Sequence, residues 1–408
     1  MTAELPPVVP TRAASLLDGV KVLAFTHWLQ GPAACQYLAD LGADVVKVEP
    51  MQGSAERTVM GPGPGPDQAS ALFVAGNRNT RSICVDLKSP NGKAVVHRLV
   101  RTYDVVIENY RPGVLDKLGV GYDALKQHND ALIYASATGY GSRGPWASMP
   151  GQDLLAQSLS GLSASSGARP TPAGAAVIDQ HSATLLALSV LAAVVRRSTS
   201  GEGTQIEASL LNAALDLQME ALTFFMNSES KWSEVGERNA NLGTWYHQAP
   251  YGVYQTLDGW LTVSIAPLAT LCAALPELGD DIAALDPRTN RDDIAARVAL
   301  VMRGLTINDA GQRLTNAGVW HAPVLDYDQM LASEQVKHNG IIGEVGDDRW
   351  NAAVVHHPVM YDGALPAVRT PPPHCGQNTR EVLLQTGFSD DELETLLAAG
   401  AVREGSIQ

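Results

Sequence analysis

Short apolar runs alternate with amphipathic segments over the first third of the chain. Strand-like runs are predicted at residues 20–26, 44–49, 81–86, 104–109 and 132–138. Helical patterns lie between them, through Leu38 and Leu41 and over residues 91–101 and 122–128. Regular alternation of strands and helices is typical of a parallel sheet covered by helices, so the pattern predicts an α/β fold.

A different pattern marks a second, smaller lobe. A predicted strand at 204–207 leads into a helical pattern over 210–225, and residues 250–263 resemble a hairpin that turns at Asp258-Gly259. Helical patterns over 268–275 and 291–310 follow before the lobe closes near residues 322–324. In the tail, Ser389 and Glu392 form a predicted capping box and Gly400 a helix stop.

Residues 61–66 alternate glycine and proline. Such a run forms neither a helix nor a central strand, so it predicts an exposed loop. The loop is interpreted either as a spacer or as an active-site lid.

Length and charge narrow the possibilities. A chain of 408 residues is too long for one ordinary core, which supports two lobes. Hydrophobic residues make up 45% and charged residues 18%, as in globular proteins. The formal net charge of −14 opposes nucleic-acid binding, so an anionic ligand would need a few local cations.

Neither metal chemistry nor a membrane is indicated. The four cysteines, Cys35, Cys84, Cys272 and Cys375, contain no C-x-x-C pair, so no zinc site or disulfide framework is predicted. The first ten residues do not resemble a signal peptide, and the apolar stretch 183–195 is shorter than a typical membrane span. We therefore expect a cytoplasmic protein with no membrane partner.

The segment 139–144 (GYGSRG) matches the dinucleotide-binding fingerprint in letters only. Pro145 and Trp146 follow at once and no helix pattern begins, so a pyrophosphate would lack a helix N-terminus to bind. We interpret the segment as a glycine-rich turn.

Three polar residues are candidates for chemistry. Asp179 and Asp153 each precede a helical pattern, where an aspartate either caps the helix or uses the helix N-terminus to hold a reactive carboxylate. His27 follows the first strand, at the sheet edge where ligands usually bind, although a structural role is the commoner one for such a histidine. These patterns leave both readings open.

Several motifs, taken together and in order, resemble the class III CoA-transferases, the CaiB/BaiF family. They extend from residues 17–23 (LDGVKVL) to 371–379 (PPPHCGQNT), and between these lie Gly31-Pro32, 41–49 (LGADVVKVE), 79–83 (NTRSI), 108–113 (ENYRPG) and 138–141 (TGYG). The resemblance implies a Rossmann-like large domain, here 1–205 with 325–408, and a smaller α+β domain, 206–324. It also implies a homodimer whose two subunits interlock.

The resemblance further implies roles for individual residues. Asp179 matches the family's nucleophile, with Asp153, Gln152, His27 and Gln30 in supporting positions. Positions that contact coenzyme A match Leu29, Asp86, Leu87, Lys88, Asn109, Tyr110 and Lys117. Acyl-CoA and a carboxylic acid are then substrates, and no tightly bound cofactor is expected.

Two departures from the family pattern carry information. Relatives that racemise 2-methylacyl-CoA have a histidine where this chain has Gln152, and proton abstraction needs a base there. The segment 27–30 (HWLQ) also differs from formyl-CoA transferases, so formyl-CoA and oxalate are not implied. A racemase or isomerase of the same fold and a non-catalytic CoA-binding protein remain alternatives.

Overall fold

The computed structural model describes residues 11–12 and 15–405. These residues form two compact units. The first comprises the described residues of Met1–Ala156 together with Ala176–Ala214 and Ser333–Gln408, and the second comprises Gln157–Ala175 and Leu215–Ala332. The predicted domain boundaries, 1–205 with 325–408 and 206–324, stay predictions. The compact units differ from them, because 157–175 and 325–332 belong to the second unit and 206–214 belong to the first.

The strands of the described residues are short. They are β1 (Thr11–Arg12), β2 (Lys21–Phe25), β3 (Asp44–Glu49), β4 (Thr80–Val85), β5 (Val105–Glu108), β6 (Ile133–Thr138), β7 (Thr204–Ser209), β8 (Gly252–Gln255), β9 (Trp260–Val263), β10 (His321–Pro323), β11 (Ile342–Asp347), β12 (Trp350–Val355), β13 (Leu365–Pro366) and β14 (Val402–Arg403).

The α-helices vary in length from one turn to more than six. They are α1 (Gln30–Asp40), α2 (Ala71–Gly76), α3 (Pro90–Leu99), α4 (Val114–Lys117), α5 (Tyr122–Lys126), α6 (Asp153–Leu159), α7 (Leu162–Ser165), α8 (Val177–Ser200), α9 (Leu210–Leu217), α10 (Met219–Met226), α11 (Trp232–Val235), α12 (Leu268–Ala274), α13 (Arg291–Met302), α14 (Ile307–Asn316), α15 (Tyr327–Ala332), α16 (Glu334–Asn339), α17 (Thr379–Gln385) and α18 (Asp390–Ala398).

The first unit is built on a seven-stranded sheet in the order β14-β4-β3-β2-β5-β6-β7. Strands β2 to β7 pair in parallel, and β14 is an antiparallel edge strand. The order of the six parallel strands is that of a doubly wound, Rossmann-like sheet. The predicted α/β fold with a parallel sheet is therefore confirmed.

Apolar side chains cover both faces of this sheet. On β2, Leu23 and Phe25 point into one core while Val22 and Ala24 point into the other, because successive side chains on a strand face opposite sides. A strand buried on both faces reads as an apolar run, as β2 and β5 do. The predicted positions of β2 to β6 agree with the structure within two residues, although β3, β4 and β6 include polar residues.

The second unit contains a three-stranded antiparallel sheet, β8-β9-β10, whose core is shared with helices α12 to α14. The predicted hairpin is confirmed, and Thr256 N–H donates to the Gly259 carbonyl across the turn at 2.9 Å. Within this unit the pattern over 291–310 is interrupted: α13 ends at Met302, and the Thr306 hydroxyl caps a new helix, α14.

Other predicted elements need smaller corrections. The pattern over 210–225 forms two helices, α9 and α10, separated at Gln218. The loop at 61–66 is not fully exposed, because Gly65 and Pro66 are buried and Gly63 N–H donates to the Gln68 carbonyl at 2.9 Å. The capping box at Ser389 and the stop at Gly400 are confirmed.

Helix α8 is the one helix of the described residues that is long and apolar enough to cross a membrane. Length and composition are weak grounds for a span, since a core helix passes the same test. Ala183, Leu186 and Val190 of α8 are buried in the core on one face of the sheet. The absence of a membrane partner stays a prediction.

Candidate active site

A cavity of about 500 Å³ opens beside the carboxyl ends of β2, β5 and β6. The strand order reverses between β2 and β5, because β3 and β4 lie on one side of β2 while β5 to β7 lie on the other. In doubly wound sheets ligands bind in the crevice outside this switch point. The fold alone therefore makes this cavity the candidate site.

The cavity brings together most of the residues that the sequence singled out. Those that line it are His27, Leu29, Gln30, Asn109, Tyr110, Gln152, Asp153 and Asp179. Asp86, Leu87, Lys88 and Lys117 do not line it.

Asp179 is the third residue of α8, which begins at Val177. The reading of Asp179 as the N-cap is therefore wrong, and the position before the helix belongs to Ala176, which makes no side-chain cap. The carboxylate of Asp153 instead caps the N-terminus of α8. Its Oδ1 accepts from Ile178 N–H at 2.7 Å and from Asp179 N–H at 2.9 Å.

Asp153 thus caps a helix other than its own. It is the first residue of α6, yet its carboxylate lies at the N-terminus of α8. A carboxylate is favoured there because the helix N-terminus carries partial positive charge. Because Asp153 accepts from the backbone N–H of Asp179, it holds in place the residue that carries the candidate reactive carboxylate.

The Asp179 carboxyl is half-buried and electrostatically perturbed. Burial, and then the negative charge of Asp153, raise the pKa of Asp179 from 3.8 to about 7. Both causes disfavour the ionised form. A poorly solvated carboxylate with a raised pKa is a stronger base and nucleophile than one in water, and such groups cluster at functional sites.

Asn109 has a structural task in addition to lining the cavity. Its Oδ1 accepts from His27 N–H at 2.9 Å, and its Nδ2 donates to the His27 carbonyl at 2.8 Å. The side-chain amide thereby ties the loop after β5 to the loop after β2. Because the Oδ1 and Nδ2 atoms both form hydrogen bonds with the His27 backbone, the predicted contact with CoA would involve the part of the Asn109 side chain that faces the cavity.

Two aromatic rings frame the His27 side chain. Its ring packs edge-on against Tyr110, with centroids 4.9 Å apart, and its Nδ1 is buried without a hydrogen-bond partner among the described residues. Burial lowers the pKa of His27, so its ring is neutral near pH 7. Trp28 follows with φ of 62°, a left-handed conformation that is uncommon for a bulky residue and typical of functional sites.

Gln30 and Gly31 bring α1 close to α8 and β5. Gln30 Nε2 donates to Ser182 Oγ at 2.6 Å, one turn beyond Asp179. A Cβ at Gly31 would lie 2.7 Å from Thr26 Cγ2 and 2.9 Å from the Asn109 side chain, so only glycine fits. The Gly31-Pro32 motif is explained by this close approach.

The glycine-rich stretch at 139–144 also serves a close approach. A Cβ at Gly139 would lie 2.7 Å from the Gly151 Cα, and both glycines line the cavity. No helix of the described chain begins between Gly139 and Gln152, which agrees with the prediction of a turn. The contact places Gln152 and Asp153 beside the end of β6.

Residues 86–88 follow β4 at the same side of the sheet as the cavity, where the carboxyl ends of the parallel strands lie. In the sheet, β4 is three strands away from β5. With neighbouring strands about 4.8 Å apart, this is roughly 14 Å along the edge. Asp86 Oδ1 accepts from Lys88 N–H at 3.0 Å, and the Lys88 side chain is exposed. Lys117 is exposed at the end of α4.

Some residues that line the cavity were not predicted from the sequence. Arg111, Thr138 and Leu210 are among them, and Arg111 adds an exposed positive charge at its rim. Arg111 directly follows two predicted residues at the carboxyl end of β5. Its position in the strand-end segment was the available signal, since a cation there faces the same crevice.

Comparison with known proteins places the chain among CoA-transferases. Residues 17–379 match the family model described as CoA-transferase family III. A probable fatty acyl-CoA transferase of Mycobacterium tuberculosis is 31% identical, over 90% of this chain and 96% of its own. A succinate–glutarate CoA-transferase of Agrobacterium fabrum is 32% identical, over 93% of this chain and 96% of its own.

A solved structure shows the same fold. The crystal structure of a CAIB/BAIF family protein from Brucella suis matches with a TM-score of 0.78 and 27% identity. The match covers 92% of this chain and all of the other.

Proposed function

The chain belongs to CoA-transferase family III, and from this premise we propose that Asp179 is the carboxylate through which CoA is exchanged. The protein is an enzyme that moves CoA between an acyl-CoA thioester and a carboxylic acid. The observation that supports the role of Asp179 is its place in the switch-point cavity, half-buried and with a pKa raised to about 7 by burial and by Asp153.

The proposed reaction proceeds in four balanced steps. An Asp179 oxygen attacks the thioester carbonyl carbon, the carbon–sulfur bond breaks, and CoA thiolate leaves an aspartyl mixed anhydride. The thiolate attacks the Asp179 carbonyl carbon and expels the donor acid as its carboxylate. The acceptor carboxylate attacks the resulting aspartyl thioester and releases CoA thiolate again. The thiolate then attacks the acceptor carbonyl, which gives the new acyl-CoA and frees Asp179.

The site has features that suit these four reaction steps. The anhydride retains the energy of the thioester only if water is kept away, and a half-buried carboxylate is partly protected from solvent. Asp153 holds the backbone of Asp179, so the nucleophile does not have to be ordered at each turnover. Closure of the 61–66 loop over the cavity stays a prediction.

Coenzyme A is proposed to lie along the carboxyl edge of the sheet. The thioester would sit in the cavity near Leu29 and Tyr110, which both line it. The phosphates would reach residues 86–88 and Lys117, where Lys88 and Lys117 supply exposed positive charge in an acidic chain. An elongated ligand suits the separation of about 14 Å between the ends of β4 and β5.

The substrate acids are proposed only as a class. One relative is named for succinate and glutarate and another for fatty acyl-CoA, so the relatives do not agree on one acid. We also propose the interlocked homodimer and a cytoplasmic location. Following CoA exchange from several acyl-CoA donors to a panel of carboxylic acids by mass spectrometry would identify the pair.

The racemase alternative lacks a feature that it needs. The position before Asp153 is Gln152, whose amide cannot act as a general base near neutral pH. Incubation with a 2-methylacyl-CoA in deuterated water separates the two activities. A transferase should leave the α-carbon unlabelled, whereas rapid deuterium uptake would support the racemase.

The test of the proposed nucleophile combines a covalent adduct with a variant. Wild-type enzyme incubated with acyl-CoA alone should gain a CoA thioester on the peptide that contains Asp179, and hydroxylamine should remove it. Asp179→Asn keeps the shape of the side chain, so it should fold, bind CoA and lose several orders of magnitude in turnover.

Two results would contradict the proposal. One is an Asp179→Asn enzyme that exchanges CoA at a rate near that of the wild type. The other is an adduct that maps to a different residue, such as Asp153. A variant that binds CoA normally provides the control for folding.

A further inference from the structure

Two cysteines that are far apart in the sequence meet outside the active-site cavity. Cys84 lies in β4 and Cys375 follows a run of three prolines, and their sulfur atoms are 3.2 Å apart. Both are free thiols. A disulfide bond requires sulfur atoms about 2.05 Å apart, so the pair would need to close by only about 1.2 Å.

The backbone holds both thiols in place. Gly376 N–H donates to Ser82 Oγ and Asn378 N–H donates to the Ser82 carbonyl, both at 2.9 Å. Cys84 N–H in turn donates to Thr379 Oγ1 at 3.2 Å. Because these bonds fix the segment around Cys375 against β4, the short distance between the two sulfur atoms is built into the fold.

Two guanidinium groups lie beside Cys375. Arg403 Nη2 is 3.0 Å from Cys375 Sγ and 3.5 Å from Cys84 Sγ. Arg57 approaches from the side of Gly53, where an added Cβ would lie 3.1 Å from both Arg57 Cδ and Cys375 Sγ. Arg57 Nη1 is buried without a hydrogen-bond partner among the described residues.

The surroundings give the two thiols different roles. The hydrogen bond from Cys84, and then the charges of Arg57 and Arg403, lower the pKa of Cys375 against the opposing effects of burial and Glu49. The same hydrogen bond and burial raise the pKa of Cys84. Cys375 is half-buried and within reach of a small oxidant, whereas Cys84 is fully buried.

We propose that Cys375 and Cys84 form a peroxide-sensitive dithiol, with Cys375 as the attacking thiolate and Cys84 as the resolving thiol. The Cys375 thiolate attacks one oxygen of hydrogen peroxide, the O–O bond breaks, and hydroxide leaves a sulfenic acid. The Cys84 sulfur then displaces the sulfenic oxygen as water, which takes up the thiol proton, and the disulfide forms. The sulfur atoms are oxidised and the peroxide is reduced.

The other two cysteines provide matched controls. Cys272 is half-buried, like Cys375, but burial and the nearby Asp280 raise its pKa. Cys35 is buried, and burial raises its pKa to about 12. Neither has a second thiol beside it among the described residues. In the reducing cytoplasm that we propose for this protein, a disulfide would be a transient, redox-sensing one.

The experiment begins with the unaltered enzyme. Reduced protein is treated with one equivalent of hydrogen peroxide, and the peptides are mapped without reduction. We expect a linked peptide pair containing Cys84 and Cys375, with the loss of two hydrogen masses and reversal by dithiothreitol. Cys375 should also react with iodoacetamide at least about tenfold faster than Cys272. Equal alkylation rates, or peroxide treatment without a Cys84–Cys375 link, would overturn the proposal.

Variants assign the two roles. In Cys84→Ala the sulfenic acid has no resolving partner, so dimedone should label Cys375, whereas Cys272→Ala should form the disulfide like the wild type. Arg403→Gln should slow disulfide formation at pH 7 by about tenfold, because it removes a cation from the thiolate. Dimedone labelling at Cys84 in a Cys375→Ala variant, with none at Cys375 in Cys84→Ala, would reverse the assignment and refute the proposed roles.

Discussion

The half-buried carboxyl of Asp179 should give the enzyme an acid limb in its pH profile. Burial and the charge of Asp153 raise the pKa of Asp179 to about 7, and only its ionised form can attack a thioester. We expect kcat/KM for acyl-CoA to fall about tenfold per pH unit below pH 7. A profile that is flat between pH 5 and pH 8 would show that no group of this kind is essential.

The same shift affects stability, with an unusual sign for an aspartate. Because the pKa of Asp179 is higher in the folded protein, the folded state holds an extra proton between about pH 4 and pH 7, and stability falls as pH rises through this window. Asp179→Asn, which cannot ionise, should therefore be more stable than the wild type at pH 8, by on the order of 1–3 kcal/mol. Urea unfolding at pH 5 and pH 8 measures the difference, which should shrink at the lower pH.

Asp153 should act on the reaction through the position of Asp179. Asp153→Ala removes the oxygen that accepts from Ile178 and Asp179 N–H, which should cost about 0.5–2 kcal/mol of stability. Turnover should fall at least tenfold, and Asp153→Asn, which keeps an acceptor oxygen, should retain more activity. The acid limb should also move to lower pH in both variants, because a negative charge beside Asp179 is lost.

A control separates this effect from general helix capping. Asp326 is exposed and immediately precedes α15, where its Oδ1 accepts from Gln329 N–H at 2.8 Å, and Asp326→Ala should leave the pH profile unchanged. If Asp153→Ala kept wild-type turnover and an unshifted acid limb, Asp153 would be a helix cap only.

At the scale of elements, the loop after β4 is proposed to bind the CoA phosphates through Lys88. The loop is a tight turn that leads into α3, so the backbone from which the exposed Lys88 side chain extends is held in place. Lys88→Ala should raise the KM for acyl-CoA several-fold with little change in kcat, because the lost contact is equally strong in the ground state and the transition state. Steady-state kinetics with acyl-CoA measures this.

Lys126 offers the matched control for Lys88. It is an exposed lysine at the end of α5, the helix that leads to the amino end of β6 and hence to the opposite edge of the sheet. Lys126→Ala should leave KM unchanged. Identical KM values for the two variants would remove Lys88 from the proposed CoA site.

For the whole molecule, the family resemblance predicts two subunits that pass through each other. Interlocked subunits cannot separate while folded, so dilution should not yield folded monomer. Sedimentation velocity from micromolar to nanomolar concentration should show a dimer throughout, and dissociation should coincide with unfolding in urea. A reversible equilibrium between monomer and dimer would contradict the interlocked assembly.

The sequence by itself determined the order and type of the elements in the sheet. Strands β2 and β5 are buried on both faces and read as short apolar runs, whereas β3, β4 and β6 also carry polar residues but still stand out between amphipathic helices. Short-range signals of the same kind identified the hairpin at Asp258-Gly259 and the capping box at Ser389. Motif resemblance identified the family and, through it, predicted the role of Asp179.

Only the tertiary structure decided which residues share a site. Asp153 and Asp179 each looked like the cap of the helix that follows them, and sequence distance gives no reason why one should cap the helix of the other. Cys84 and Cys375 meet because the chain returns to β4 from a distant position in the sequence, and Gly139 meets Gly151 where the loop after β6 folds back on itself. Such contacts depend on side-chain packing between non-neighbouring segments, and the raised pKa of Asp179 depends on the burial that this packing creates.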